Sequence, residues 1–225
     1  MSYSSSTSSS SSVFDPSAGG RLTTPPASGW SWLNQGAAAV TTLSDGSIDL
    51  SITETAAAHS CRCYLRTMGA TFTATTFVKN AGTGLVGHTA GLIAYRSSNG
   101  KLWSVDTGGH GTYSAAGTSS GSHAVTATRW TSTTVASAVQ AGPRFHATGM
   151  NGFWLRLQYD GTNMVAAVNP YPDAPASTWE TLLSEAATTF LGGAPTDYGI
   201  YISAYSTTSP LGIHRGRFHS FLESA

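Results

Sequence analysis

Charge is the scarcest property of this chain. Charged residues occupy 10% of its 225 positions and the formal net charge is zero, whereas an ordinary soluble domain is about 25% charged. Lysine occurs only at Lys79 and Lys101, and the arginines are scattered apart from Arg215 and Arg217. Neutralising a phosphate backbone takes clustered Lys and Arg, so composition argues against a nucleic-acid partner. No run of about 20 apolar residues occurs, which argues against membrane insertion by a helical span. The start, MSYSSSTSSSSS, lacks both the basic and the apolar region of a secretory signal. Synthesis in a cytoplasm, without export by that route, is the expectation.

Cysteine is nearly absent too. Cys61 and Cys63 stand in S-C-R-C-Y. Residues i and i+2 of a strand share one face about 6.5–7 Å apart, a poor geometry for a disulfide. No second pair exists to complete a zinc site, so two buried or half-buried thiols are expected. Metal ligands are sparse elsewhere. Asp106, Asp173 and Asp197 fall at expected strand ends, where Asp forms turns, and no D-x-D loop gathers the six to eight oxygens of a calcium site. The histidines form no H-x-x-x-H pattern: His214 and His219 fall on opposite faces of one strand, and His88 lies inside an apolar run. No metal and no cofactor is expected. Serine is abundant, but no G-x-S-x-G elbow occurs, so no nucleophile is singled out.

What the chain does have is hydroxyls, glycine and strand-like texture. Residues 1–12 are almost all Ser and cannot bury apolar surface. Residues 13–29 read as an extended linker stiffened by Pro16, Pro25 and Pro26. The expected organisation is an N-terminal arm and linker over 1–29 and a β-domain over 30–225. Tyr3, Val13 and Phe14 are the arm's candidate anchoring residues.

From Trp30 onward about twelve short strands follow one another between turn signals, which calls for a sandwich or barrel. Ser47–Thr53 alternates Ile48, Leu50 and Ile52 against Ser47, Asp49 and Ser51. Phe153–Tyr159 (FWLRLQY) places Trp154, Arg156 and Gln158 on one face and Phe153, Leu155, Leu157 and Tyr159 on the other. Asp160-Gly161 is a tight hairpin turn. Over Trp179–Phe190, Leu182, Leu183 and Ala186 have helical spacing; one or two turns of helix and a strand starting within 177–182 are both open there.

The closing pieces are Trp154-Leu155-Arg156, Asp160-Gly161, Ser177-Thr178-Trp179, Tyr198–Tyr205 and Phe218–Leu222. In that order they resemble the concanavalin A-like lectin/glucanase superfamily, in its laminin-G-like form, as found in tailed-bacteriophage virion proteins. The resemblance covers about a third of the chain. It implies an all-β, two-sheet antiparallel jelly-roll sandwich, here with an extended N-terminal arm. The glucanase members carry paired carboxylates on one strand. Here no E-x-D-x-E spacing occurs, and Asp49 and Glu54, five apart, fall on opposite faces. No catalytic residue is expected.

The functional expectation is a non-enzymatic virion structural protein of a tailed phage, made in the host cytoplasm: a decoration, fibre or receptor-binding subunit. Its partners would be other virion proteins through the arm, further copies of itself in a trimer, and, as an open alternative, a host surface glycan. A free carbohydrate-binding module or lectin is the alternative reading, and a glycoside hydrolase a third. Exposed aromatics stack on sugar faces, which makes His110, Tyr113 and Tyr171 the candidate glycan-binding residues.

Overall fold

Alternation along the chain becomes two faces of a sheet almost everywhere it was expected. The computed structural model describes residues 29–53, 60–80, 88–108, 124–141, 152–169, 179–204 and 213–224. In chain order the strands are β1 (Trp30–Leu33), β2 (Ala39–Thr42), β3 (Ile48–Thr53), β4 (Ser60–Thr67), β5 (Phe72–Asn80), β6 (Thr89–Arg96) and β7 (Lys101–Gly108). Then come β8 (Ala124–Ser132), β9 (Val135–Ala141), β10 (Phe153–Tyr159), β11 (Asn163–Asn169) and β12 (Glu180–Ala186). A single helical turn, α1 (Ala187–Phe190), precedes β13 (Asp197–Ala204) and β14 (Ile213–Ser224).

They form two antiparallel seven-stranded sheets. Sheet A runs β1-β4-β13-β6-β7-β8-β9, and sheet B runs β12-β11-β10-β5-β14-β3-β2. The sandwich expected from the sequence is therefore the observed architecture. The arm lies outside the described residues, as do its anchoring candidates Tyr3, Val13 and Phe14.

The core lies between the sheets. Sheet B contributes Ile48, Leu50, Phe72, Val78, Phe153, Leu155, Leu157 and Phe218; sheet A contributes Leu92, Trp103, Val105, Val125, Ile200 and Ile202. Phe72 stacks on Tyr198 with ring centroids 4.1 Å apart and planes 4° from parallel. Polar ties cross the same gap. Glu185 of β12 accepts from Trp103 Nε1 (2.7 Å) and from Arg129 Nε (3.0 Å), both of sheet A. Glu223 of β14 pairs with Arg66 and accepts from Tyr198 Oη (2.9 Å).

Two buried imidazoles close one end of this layer. His88 and His214 lie with ring centroids 4.6 Å apart, 2% and 1% exposed. Burial, reinforced by His88, pushes His214 down to about 3, and burial lowers His88. His214 was expected to face away from His219, and it does: it points inward, while His219 lies beside Phe77 on the outer side.

The Trp179–Phe190 stretch resolves into both open alternatives: strand β12, then one turn of helix. The helical spacing of Leu182 and Leu183 has another cause. The β11–β12 register shifts between Ala166 and Ala167, where Ala166 faces Leu183 and Ala167 faces Thr181. A bulge places an extra residue, Leu182, in the strand, so two adjacent leucines both reach the core. The carbonyls ending α1 are met by side chains: Lys101 Nζ donates to Phe190 O (2.9 Å), and Asn99 Nδ2 donates to Leu191 O (2.6 Å). The predicted Asp160-Gly161 hairpin is present. Gly161 takes φ 100°, and Asp160 Oδ1 accepts from Thr162 N and Asn163 N.

Candidate functional site

Each sheet has one face in the core and one turned away from it, and chemistry collects on both outer faces. On sheet A the register sets a row across five strands: Cys63, Tyr201, Gly91, Asp106 and Thr126. All lie on the side opposite Tyr64, Ile200 and Val105 of the core. A second hydrophobic cluster forms on this side from Cys61, Cys63, Leu65, Ile93, Leu102, Trp130 and Tyr201.

Gly91 is what brings the polar members together. It stands between Tyr201 and Asp106 in the row, and a Cβ there would lie 2.1 Å from Val105 O and 2.9 Å from Asp106 Cβ. With no side chain in the way, Tyr201 Oη reaches across β6 and donates to Asp106 Oδ2 at 2.6 Å. Ser104 Oγ donates to the same oxygen (2.9 Å), and Thr126 Oγ1 donates to Oδ1 (3.1 Å). Trp130 Nε1 in turn donates to Ser104 Oγ at 3.0 Å. Asp106, Ser104, Thr126 and Tyr201 are all 0% exposed. Three hydroxyl donors are what a buried carboxylate needs, since an unpaired one is too costly to bury. Burial pushes the Tyr201 hydroxyl and the Cys61 thiol well up, so both stay protonated.

Sheet A curls to close this face. Cys61 N, at the start of β4, donates to Thr133 O in the β8–β9 turn at 2.8 Å. Yet β13, β6 and β7 lie between β4 and β8 in the sheet. Register shifts at Ala127/Thr128, Arg129/Trp130 and Trp130/Ser132 mark the bending, as bulges do. The curl carries the Trp130 ring to 6.3 Å from Tyr201, edge-on. One expectation is corrected here. Asp106 is not a turn residue at a strand end: it lies within β7, and its acceptor capacity is taken up by hydroxyls from three strands.

Sheet B's outer face is different. Trp154 pairs across β10–β5 with Phe77, Arg156 with Thr75, and Gln158 with Thr73, all half-buried. The Trp154 and Phe77 rings lie 5.4 Å apart. Arg156 lays its guanidinium over Trp179 at 4.6 Å, and Lys79 Nζ lies 5.9 Å from the Phe77 centroid. Arg217 grips Asp49 with two contacts of 2.8 and 3.2 Å. The result is an aromatic row edged by cations and flanked by an amide and two hydroxyls.

The sequence placed Trp154, Arg156 and Gln158 together, and the sheet keeps them so. It did not connect Trp179 or Phe77 to them. The glycan-binding candidates His110, Tyr113 and Tyr171 lie outside the described residues. No group of three or more His, Cys, Asp or Glu side chains is gathered in a metal-holding arrangement among the described residues. Cys61 and Cys63 are free and buried on one face, as expected.

Comparison with known proteins locates the architecture. No protein-family model and no curated sequence matches the chain. Solved structures do. A functionally unknown protein from Saccharomyces cerevisiae is 16% identical with a TM-score of 0.56, over 88% of this chain and 97% of that one. A GH43 glycoside hydrolase, engineered to display both endo-xylanase and exo-arabinofuranosidase activity, is 14% identical with a TM-score of 0.59, over 87% of this chain and 38% of that one. An uncharacterised protein from Mycobacterium paratuberculosis is 11% identical with a TM-score of 0.54, over 92% of this chain and 96% of that one. The chain thus spans little more than a third of the GH43 hydrolase and nearly all of the other two.

At these identities the likeness shows the fold: an all-β sandwich of a kind that occurs within carbohydrate-active proteins. The narrower concanavalin A-like assignment and the link to phage virions gain no support from these structures. The expectation of a non-enzymatic chain is corrected. Its structural neighbours include several GH43 glycoside hydrolases, among them a xylan β-1,4-xylosidase from Bacillus halodurans. That expectation rested on a missing E-x-D-x-E strand. Groups brought together from different strands leave no such spacing, as Tyr201 and Asp106, 95 residues apart, illustrate.

Proposed function

We propose that the chain is a glycan-recognising β-sandwich whose binding surface is the outer face of sheet B. The observation that carries this reading is the half-buried row Trp179, Trp154 and Phe77, with Arg156, Gln158, Thr73 and Thr75 alongside. Flat apolar rings take up the C–H faces of sugars, and hydrogen-bonding side chains beside them fix orientation. The kinship of fold with GH43 hydrolases, one described by xylanase and arabinofuranosidase activity, makes pentose-rich plant polysaccharides the first ligands to try. Affinity electrophoresis of the full chain through arabinoxylan and xyloglucan tests it. Retardation lost in Trp154→Ala and Trp179→Ala is the expected result. An unretarded wild-type chain in every polysaccharide tried overturns the reading. Reducing ends released in the same incubations measure hydrolysis.

A second reading concerns where the sandwich is displayed, and composition favours it. A chain with 10% charged residues, preceded by a serine arm, suits attachment to a particle where copies must not repel. In this reading residues 1–29 dock on other virion proteins of a tailed phage through Tyr3, Val13 and Phe14. Deleting them is expected to leave a folded sandwich that no longer enters particles; continued incorporation overturns it.

A further inference from the structure

Resting on the glycan reading above, we infer that the ligand of sheet B's outer face is an acidic glycan, one bearing carboxylates, held by Arg156 on one side of the aromatic row and by Lys79 on the other.

The first ground is where the cations lie. The chain has 11 Lys and Arg against 11 Asp and Glu. Four of those cations, Lys79, Arg156, Arg215 and Arg217, occupy outward positions of β5, β10 and β14. Facing them from β3 is one carboxylate, Asp49, 5% exposed and held by Arg217 through two contacts. Asp45, in the turn before β3, reaches this side electrostatically, but its Oδ1 accepts from both the amide and the hydroxyl of Ser47. Glu180, next to Trp179, pairs across from Val168 and so has inner-face parity. A protein neutral overall thus carries, among the described residues, a cationic excess on one face.

The second ground is an unmet donor. Arg156 Nε is buried and has no acceptor within hydrogen-bond reach among the described residues. Its guanidinium lies flat on Trp179, which fixes the plane of the fork without neutralising it. Burial already disfavours its charged form. Holding such a group half-buried without a counter-ion among the described residues costs stability, and a carboxylate arriving at the guanidinium offsets that cost through charge-assisted hydrogen bonds. At the other end of the row, His219 Nε2 is also buried without a partner among the described residues, 5.9 Å from Phe77 by ring centroid and near Lys79.

The third ground is spacing. Trp154 stands opposite Phe77, Arg156 opposite Thr75, and Lys79 lies two residues beyond Phe77 in the other direction. Arg156 and Lys79 are therefore about four residues apart along the strand direction, roughly 13 Å. One sugar does not reach both, so the ligand is a chain whose apolar ring faces lie on Trp154 and Phe77 and whose carboxylates meet the two cations. Nucleic acid also offers rings and anions, but four cations in a chain of zero net charge are few for a phosphate backbone.

The experiment uses the full chain at low salt with polygalacturonate, alginate and glucuronoxylan, each beside its carboxyl-reduced form, and with single-stranded DNA. The acidic polymer is expected to bind at least tenfold more tightly than its reduced form, and 0.5 M salt to erase the difference. Arg156→Gln removes the preference, Lys79→Gln weakens it severalfold, and Arg156→Lys restores it in part. Equal binding of acidic and reduced forms, unchanged in Arg156→Gln, overturns the inference and leaves the glycan reading standing. Retention by DNA with no glycan bound overturns both. Thermal unfolding of each variant separates lost binding from lost folding.

Discussion

On sheet A the outward row is Cys63, Tyr201, Gly91, Asp106 and Thr126; on sheet B it includes Trp154 and Phe77, with Arg156 and Thr75 one step along. Both follow from the same period-two geometry. The first is sealed, with its carboxylate 0% exposed, while the second stays half-open. The difference lies in the sheets' curvature. Sheet A bends far enough for the β8–β9 turn to hydrogen-bond to β4, so Trp130 fills the concavity. Sheet B has no described counterpart to that hairpin. A carboxylate among three hydroxyl donors under a curled sheet is satisfied from within. A guanidinium on a tryptophan in an open sheet still has a donor to offer.

Substitutions at the two faces should therefore behave oppositely. Trp130→Ala removes the largest ring from the closed face and should cost about 3–5 kcal/mol in urea unfolding. A loss below about 1 kcal/mol would mean that the curl does not hold this face shut. Asp106→Ala leaves Tyr201, Ser104 and Thr126 hydroxyls buried without their acceptor and should cost roughly 3 kcal/mol. Asp106→Asn, which keeps an acceptor oxygen, should recover part of that.

A pH series adds a control belonging to neither face. His214 lies between the sheets at about 3, below its ordinary value near 6.5. Between those values the unfolded chain binds the proton and the folded one does not, so the stability present above about pH 6.5 falls as pH drops towards 3. The slope is up to about 1.4 kcal/mol per pH unit. His214→Gln should lessen the fall of the unfolding midpoint over that window, with His88 and His219, also lowered by burial, keeping the rest, whereas variants on the outer face of sheet B should keep the wild-type slope. The smallest effect belongs to the open face: Trp154→Ala and Arg156→Gln should each shift stability by about 1 kcal/mol or less while changing ligand retention. If they unfold the chain, sheet B's outer face is structural after all.

The sequence showed more of the fold than of the sites. Phe153–Tyr159 alternates so regularly that its buried and half-buried positions were legible residue by residue. Cys61 and Cys63 were correctly placed on one buried face for the same reason. Asp106 misled because an Asp at the end of an apolar run reads as a turn residue; only its register opposite Gly91 and Thr126 reveals an internal carboxylate. Leu182 and Leu183 left helix and strand both open because a bulge imitates helical spacing. Trp130 and Trp154 both lie within strands, yet one fills the second hydrophobic cluster while the other lies in the open row.

What the sequence determined by itself was local: which positions are strand, which side chains share a face, where hairpins turn, and that charge is scarce. These depend on backbone period and residue chemistry within a few residues of one another. What only the tertiary structure decided was which outer face would close. That depends on how far a sheet curls, summed over seven strands and their bulges, and on glycine at the one position where Tyr201 must pass over β6 to reach Asp106. Curvature of that kind is set by pairings between residues as distant as Ser60 and Ala204, and no window of the chain contains it.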